Sequence, residues 1–310
     1  DRLIKSVVEA SDNKFLVIVG PCSADSEDSV LEYTLRLAKM QEKLSEKLVI
    51  VPRIYTSKPR TTASGYMGML HQPETDKAPD IAQGILSMRK IHVRAIEETG
   101  LSGADEMLYP EDLPYKEDAL SYVSIGARSV ENQQHRLFAS ALDIPVGMKN
   151  PTSGYLGVMF NAVLAAQCSH FLAYRGNEVK TTGNPLSHVV LRGYVNRNGV
   201  NKPNYHYEDL LLTLRLYDDY KLLNPMVIVD TNHSNSDKKY MEQIRIVEEV
   251  LSVRKKNTDV KSVVRGLMIE SYLEEGCQPV GSRVYGKSIT DPCLGLKDTE
   301  RLLYYIAENM

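Results

Sequence analysis

A chain of 310 residues is long enough for a generous core and leaves open one large α/β barrel or two smaller domains. A net charge of −3 supplies no basic face for a polyanion, so nucleic acid is excluded as a partner, and any phosphorylated ligand must be held by a few placed cations. No apolar run approaches the roughly 20 residues that span a bilayer, and the first residues carry no signal-peptide pattern. These absences point to a cytoplasmic chain without a membrane partner. The four cysteines, Cys22, Cys168, Cys277 and Cys293, fall at irregular spacing with no C-x-x-C pair. They form neither a disulfide framework nor a structural zinc motif, which suits a reducing compartment.

Short β-rich runs recur along the chain: FLVIVG (15–20), LVIVPRIY (48–55), ADEML (104–108), YVSIGA (122–127), PVGMK (145–149), HFLAY (170–174), HVVLR (188–192), MVIVD (226–230) and VVRGLMI (263–269). Mixtures with helical spacing separate most of them, such as DSVLEYTLRLAKMQEKL and KKYMEQIRIVEEVLSVRKK. Continuous apolar strands alternating with amphipathic helices predict a parallel sheet covered by helices. The fold class is therefore α/β, a single (β/α)8 TIM barrel over residues 1–310, with residues 1–14 as a short N-terminal segment. Nine candidate runs are one too many for eight barrel positions. The stretch RGNEVKTTGNPLS between HFLAY and HVVLR is polar and too short for a crossover helix. The pair is expected to share the sixth position through a hairpin-like insertion over 175–187.

In such a barrel the reactive groups sit just after the strands. Cys22 follows the first, and Arg53, Lys58 and Arg60 follow the second. Glu106 ends the third, Arg128 follows the fourth, Lys149 ends the fifth and Arg192 the HVVLR strand. His233 lies in the TNHSNS stretch after MVIVD, and Glu270 closes the last strand ahead of a loop carrying Lys287 and Asp291. Two sets emerge. Cys22, His233, Glu270 and Asp291 mix soft and hard donors and suit a divalent ion such as Mn, Fe, Co or Zn, acting as a Lewis acid on a carbonyl oxygen. Arg53, Lys58, Arg60, Arg128, Lys149, Lys287 and Arg192 can hold phosphate and carboxylate groups. Taken singly, each has a bland reading: a buried small thiol, a loop histidine, a solvated charge. The joint pattern at one end of successive strands favours chemistry.

The stretch GSRVYGKSITDPC (281–293) contains the letters of a phosphate-cradling loop, G-x-x-x-x-G-K-[ST]. That loop must follow a buried strand and open into a helix. Here the polar SYLEEGCQPV precedes it, and Pro292 follows four residues after Ser288, which opposes a helix. ATP hydrolysis is not expected.

GPCS (20–23), KPRTT (58–62), IGAR (125–128), GMKNPT (147–152), LRG (191–193), DTNHSNS (230–236), MIES (268–271) and YGKSITDPC (285–293) resemble, in this order, the motifs of the 3-deoxy-7-phosphoheptulonate (DAHP) synthases of class I, the feedback-regulated bacterial and yeast type. The resemblance implies a metal-dependent barrel enzyme that condenses phosphoenolpyruvate with erythrose 4-phosphate, the first step of the shikimate pathway to aromatic amino acids. It implies a homodimer or homotetramer, with an aromatic amino acid as candidate effector. Cys22, His233, Glu270 and Asp291 would ligate the metal, and Arg53, Lys58, Arg128, Lys149 and Arg192 would hold phosphoenolpyruvate. Arg60 and Thr61 would hold the sugar phosphate, with Glu106 and Asp291 among the substrate contacts. Lys58, Cys22 and His233 would be the catalytic residues. Lys58 is expected to act as an acid whose pKa neighbouring cations lower. A sister synthase acting on another sugar phosphate is the alternative.

Overall fold

The computed structural model describes residues 2–58, 65–75, 77–282 and 284–310. Eight parallel strands form the barrel: β1 (Phe15–Gly20), β2 (Leu48–Pro52), β3 (Gly103–Glu106), β4 (Leu120–Ile125), β5 (Val146–Lys149), β6 (Ser187–Leu191), β7 (Val227–Asp230) and β8 (Val264–Glu270). Every residue in them is buried. Strands covered on both faces show unbroken apolar runs rather than alternation. The order in the sheet is β2-β1-β8-β7-β6-β5-β4-β3. The circle closes between β2 and β3 by a single parallel bridge, Arg53 to Ala104, and by the Ile54 N–H donating to the Ala104 carbonyl at 2.9 Å.

Helices pack around the outside with ordinary terminal chemistry. Glu27 and Asp28 sit in the first turn of helix Glu27–Leu44, where negative charge meets the positive end of the helix dipole. Asp80 caps helix Ile81–Thr99 by accepting from the Gln83 N–H, and Gly100, at φ 72°, ends it with its own N–H on the Ile96 carbonyl. Two apolar layers result. One lies between strands and helices; the other fills the barrel with Leu16, Ile18, Val49, Val190, Ile228 and Met268. Helix Arg2–Val8, in the N-terminal segment, contributes Ile4, Val7 and Val8 to that inner layer. Among the described residues no helix is long and apolar enough to cross a membrane.

The insertion before β6 departs from expectation. The hairpin is not 175–187: its arms are Phe171–Tyr174 and Asn177–Lys180, paired antiparallel. HFLAY takes no barrel position. Phe171 is 64% exposed and Leu172 is buried, the alternation of a ribbon with one face on the protein. Arg175 and Gly176, both at positive φ, make the two-residue turn that such ribbons favour.

Ile228 is fully buried in the inner layer beneath the carboxyl ends of the strands. Ile228→Ala is expected to cost about 2–5 kcal/mol, read as a lower urea midpoint with an unchanged denaturant slope.

Candidate active site at the carboxyl ends of the strands

Glu270, the last residue of β8, has no solvent exposure. Its Oε1 lies 2.8 Å from Arg53 Nη2 and 3.2 Å from Lys58 Nζ, and its Oε2 accepts from Asn232 Nδ2 at 2.6 Å. Burial pushes this carboxyl up, but Lys58, His233 and Arg53 outweigh it and bring it down to about 2. Cys22 Sγ accepts from Lys58 Nζ at 3.2 Å and donates to Asp291 Oδ2 at 3.7 Å. Burial, reinforced by Glu270, pushes the thiol above its ordinary range. Cys22, Glu270 and Asp291 each offer a donor atom, all within 4.8 Å of one another.

His233 completes this group at its edge, with Nε2 3.7 Å from Glu270 Oε1. Its Nδ1 is 2.9 Å from Asp230 Oδ2, and burial pushes the ring toward the neutral form. A neutral ring that donates Nδ1–H to a carboxylate presents the Nε2 lone pair to the site, the usual support of a metal-binding histidine. Three residues of its loop, His233, Asp237 and Lys238, adopt positive φ. The loop is held by Lys238 N–H on the His233 carbonyl and by Asn235 Nδ2 on the Asp230 carbonyl. Gly193 makes room for it: a Cβ there would lie 2.5 Å from Asn235 N.

A cavity of about 200 Å³ opens over these groups. Lys58, Glu106, Arg128, Lys149, Arg192 and Asp291 line it, together with Cys22 and His233. Lys149 Nζ pairs with Asp230 Oδ2 at 2.8 Å. Burial lowers the pKa of Lys149 and of Arg192. Glu106 packs on Gly126, where a Cβ would lie 2.2 Å from its Oε1.

Several sequence-derived expectations change. Arg53 is fully buried beneath the cavity and does not line it; besides Glu270, its guanidinium donates to the Pro21 and Cys22 carbonyls and to Met268 Sδ. Lys287 lies in a two-residue strand, Lys287–Ser288, paired with Glu274–Cys277 outside the barrel and away from the cavity lining. The next helix begins only at Leu296, so the phosphate-loop letters lack their helix. Arg60 and Thr61 lie outside the described residues. For Lys58, burial does act downward, but Cys22 and Glu270 outweigh it and raise the pKa. Arg53 does act to lower it, as expected of a neighbouring cation, but the net direction is upward.

Two residues escaped the sequence reading. Asp230, the last residue of β7, anchors both His233 and Lys149; the signal was a carboxylate three positions before a histidine. Lys238 lines the cavity with Nζ 3.1 Å from Asp291 Oδ1, five positions beyond His233 and outside the quoted motif.

Comparison with known proteins shows the family of the chain. Residues 3–304 match the model of the DAHP synthetase I family. The chain is 36% identical over 315 positions to the Trp-sensitive phospho-2-dehydro-3-deoxyheptonate aldolase of Escherichia coli (strain K12), covering 99% of this chain and 87% of that one. It is 38% identical to the enzyme of the same description from Enterobacter agglomerans, with the same coverage. The structure of phospho-2-dehydro-3-deoxyheptonate aldolase from Francisella tularensis SCHU S4 matches with a TM-score of 0.92 at 29% identity, covering 99% of this chain and 89% of that one.

Burial works against the Asp230 carboxylate, but His233 and Lys149 hold its pKa well below the ordinary value. A carboxyl depressed in the folded state stabilises above its unfolded pKa, near 4, and loses that contribution as pH falls toward the folded value. Asp230→Asn is therefore expected to destabilise chelator-treated protein by about 3–5 kcal/mol near pH 7. The gap to wild type should narrow progressively below about pH 4 in denaturant titrations run across pH.

Proposed function

We propose a division of labour for the pocket of this chain, which belongs to the DAHP synthetase I family. The chain condenses phosphoenolpyruvate with erythrose 4-phosphate in the first step of aromatic biosynthesis. Cys22, His233, Glu270 and Asp291 hold a divalent metal. The fit rests on the donors themselves: a thiol and two carboxylates within 4.8 Å of one another, beside an imidazole whose far nitrogen is already tied to Asp230. Such a set suits Mn, Fe, Co or Zn, and the ion, when bound, polarises the aldehyde oxygen of the sugar phosphate.

Lys149, Arg192, Arg128 and Lys58 take the phosphate and carboxylate of phosphoenolpyruvate, since their charges line one small cavity. Arg53 acts from below, by holding Glu270 and the Cys22 carbonyl in place. Arg60 and Thr61 take the phosphate of the sugar, and Glu106 and Asp291 accept from its hydroxyls. The C3 carbon of phosphoenolpyruvate attacks the aldehyde carbon, forming the new carbon–carbon bond. Lys58 delivers a proton to the developing alkoxide. Water then adds at C2, and the tetrahedral centre expels phosphate. The observation that carries this reading is the meeting of a mixed S, N and O donor set with a cation-lined cavity at the reactive end of a barrel.

Phosphate release from phosphoenolpyruvate should require both erythrose 4-phosphate and metal: absent after chelation, restored by Mn²⁺. Lys58→Met should lower turnover by about 10²–10⁴-fold. Normal turnover with only weaker substrate binding would remove Lys58 from the acid role.

A second cavity, of about 380 Å³, lies between helix Gln133–Ala139 and the hairpin. Leu113, Phe138, Leu142 and Leu172 give it an apolar wall beside Glu117 and Asp143. An aromatic amino acid fits this chemistry, its ring on the apolar wall and its ammonium toward the carboxylates. The Trp-sensitive description of the relatives supports an effector of this class. Filling the cavity with Leu172→Trp should abolish inhibition by Phe, Tyr or Trp while leaving basal turnover intact. Failure of all three amino acids to bind or inhibit wild-type enzyme would refute the assignment.

A further inference from the structure

A cluster of buried charges lies directly behind the segment that carries Lys58, and none of its members lines the catalytic cavity. Lys116 follows the 3-10 turn Pro110–Tyr115, and its side chain is 1% exposed. Its Nζ donates to Asp105 Oδ2 at 2.8 Å and lies 3.5 Å from Asp112 Oδ1. His92 Nε2 stands 3.2 Å from the same Asp105 oxygen. Burial opposes the ammonium, yet Asp105 and Asp112 raise its pKa.

Buried ion clusters contribute little net stability, because desolvation offsets most of the attraction and apolar residues fill the same volume equally well. The geometry gives this one a different use. Asp105 Oδ1 accepts from the Thr56 N–H at 2.9 Å and from the Glu106 N–H at 2.7 Å. Its Oδ2 accepts from the Thr56 hydroxyl at 2.5 Å. Asp112 Oδ2 accepts from the Ser57 hydroxyl at 2.7 Å. Both residues that immediately precede Lys58 are thus bound to carboxylates that share one ammonium. One of those carboxylates belongs to the residue just before Glu106. On the opposite side, the Met69 N–H donates to the Thr56 carbonyl at 2.8 Å and Ser23 Oγ to the Lys58 carbonyl at 3.3 Å. The segment is tied on both sides.

We propose that Lys116, Asp105 and Asp112 are positioning residues for the condensation, setting Lys58 and Glu106 relative to each other through Thr56 and Ser57. The inference rests on the reading of Lys58 given above. A misplacement of an ångström suffices to cost orders of magnitude in rate.

Ser57→Ala removes one hydroxyl at the edge of the cluster and leaves every charge paired. It is expected to lower kcat by roughly 10- to 100-fold at 25 °C, with a thermal midpoint within a few degrees of wild type and an unchanged Co²⁺ affinity. Ser57→Thr, which restores a hydroxyl, should recover most of the rate. A Ser57→Ala enzyme with kcat within about twofold of wild type would overturn the proposal, as would a loss of rate explained by a lowered thermal midpoint. Lys58→Met, assayed alongside, separates the two readings. If it turns over normally, the role of Lys58 falls and the positioning role with it. If it is inactive while Ser57→Ala is not impaired, only the positioning role falls.

Discussion

The structure turns on one carboxylate with no access to water. Glu270 is wholly buried against the Arg53 and Lys58 cations, and an ionised carboxylate taken out of water costs several kcal/mol unless partners replace the lost hydration. The partners come from the segments after two nearby strands, β2 and β7, and from one helix. Arg53 follows β2 and Lys58 lies five residues further on; Asn232 and His233 come from the loop after β7, and Gln243 from helix Glu242–Lys256 grips the Glu270 peptide at both its N–H and its carbonyl. Satisfying this one group places most of the floor of the site. It also explains why Arg53 lies below the cavity instead of in it: its guanidinium is the nearest counter-charge to Glu270, and it stacks 3.8 Å over the Tyr55 ring as well.

The barrel was legible in the sequence because most strands buried on both faces appear as largely apolar runs, and all eight were located within a few residues. HFLAY misled for the same reason in reverse. Five residues are too few to separate a buried strand from a ribbon with one exposed face, and the difference lies in what packs on Phe171, which nothing local encodes. The site was legible as a set, since residues following successive parallel strands converge at one end. Its internal arrangement was not. Whether an arginine after a strand points into a cavity or beneath it depends on the distance to Glu270, more than 200 positions away in the chain. The direction of the shift at Lys58 is set by neighbours of both charges, and only the fold brings Cys22 and Glu270 each to 3.2 Å from its ammonium. Asp230 opens the motif that contains His233 and Lys238 lies two residues past its end, and the positive-φ turn of this loop brings both to the site.

The barrel is not uniform around its circumference. Seven junctions between neighbouring strands are parallel ladders; the eighth, between β2 and β3, is a single bridge. Just beyond it the contact continues through the Asp105 side chain on Thr56. A ladder is made of main chain, and its spacing is nearly indifferent to which side chains it carries. A junction completed by a carboxylate can be loosened, tightened or shifted by replacing one residue at a time. Evolution therefore has an adjustable seam in an otherwise fixed ring, and that seam runs between the wall bearing Lys58 and the wall bearing Glu106.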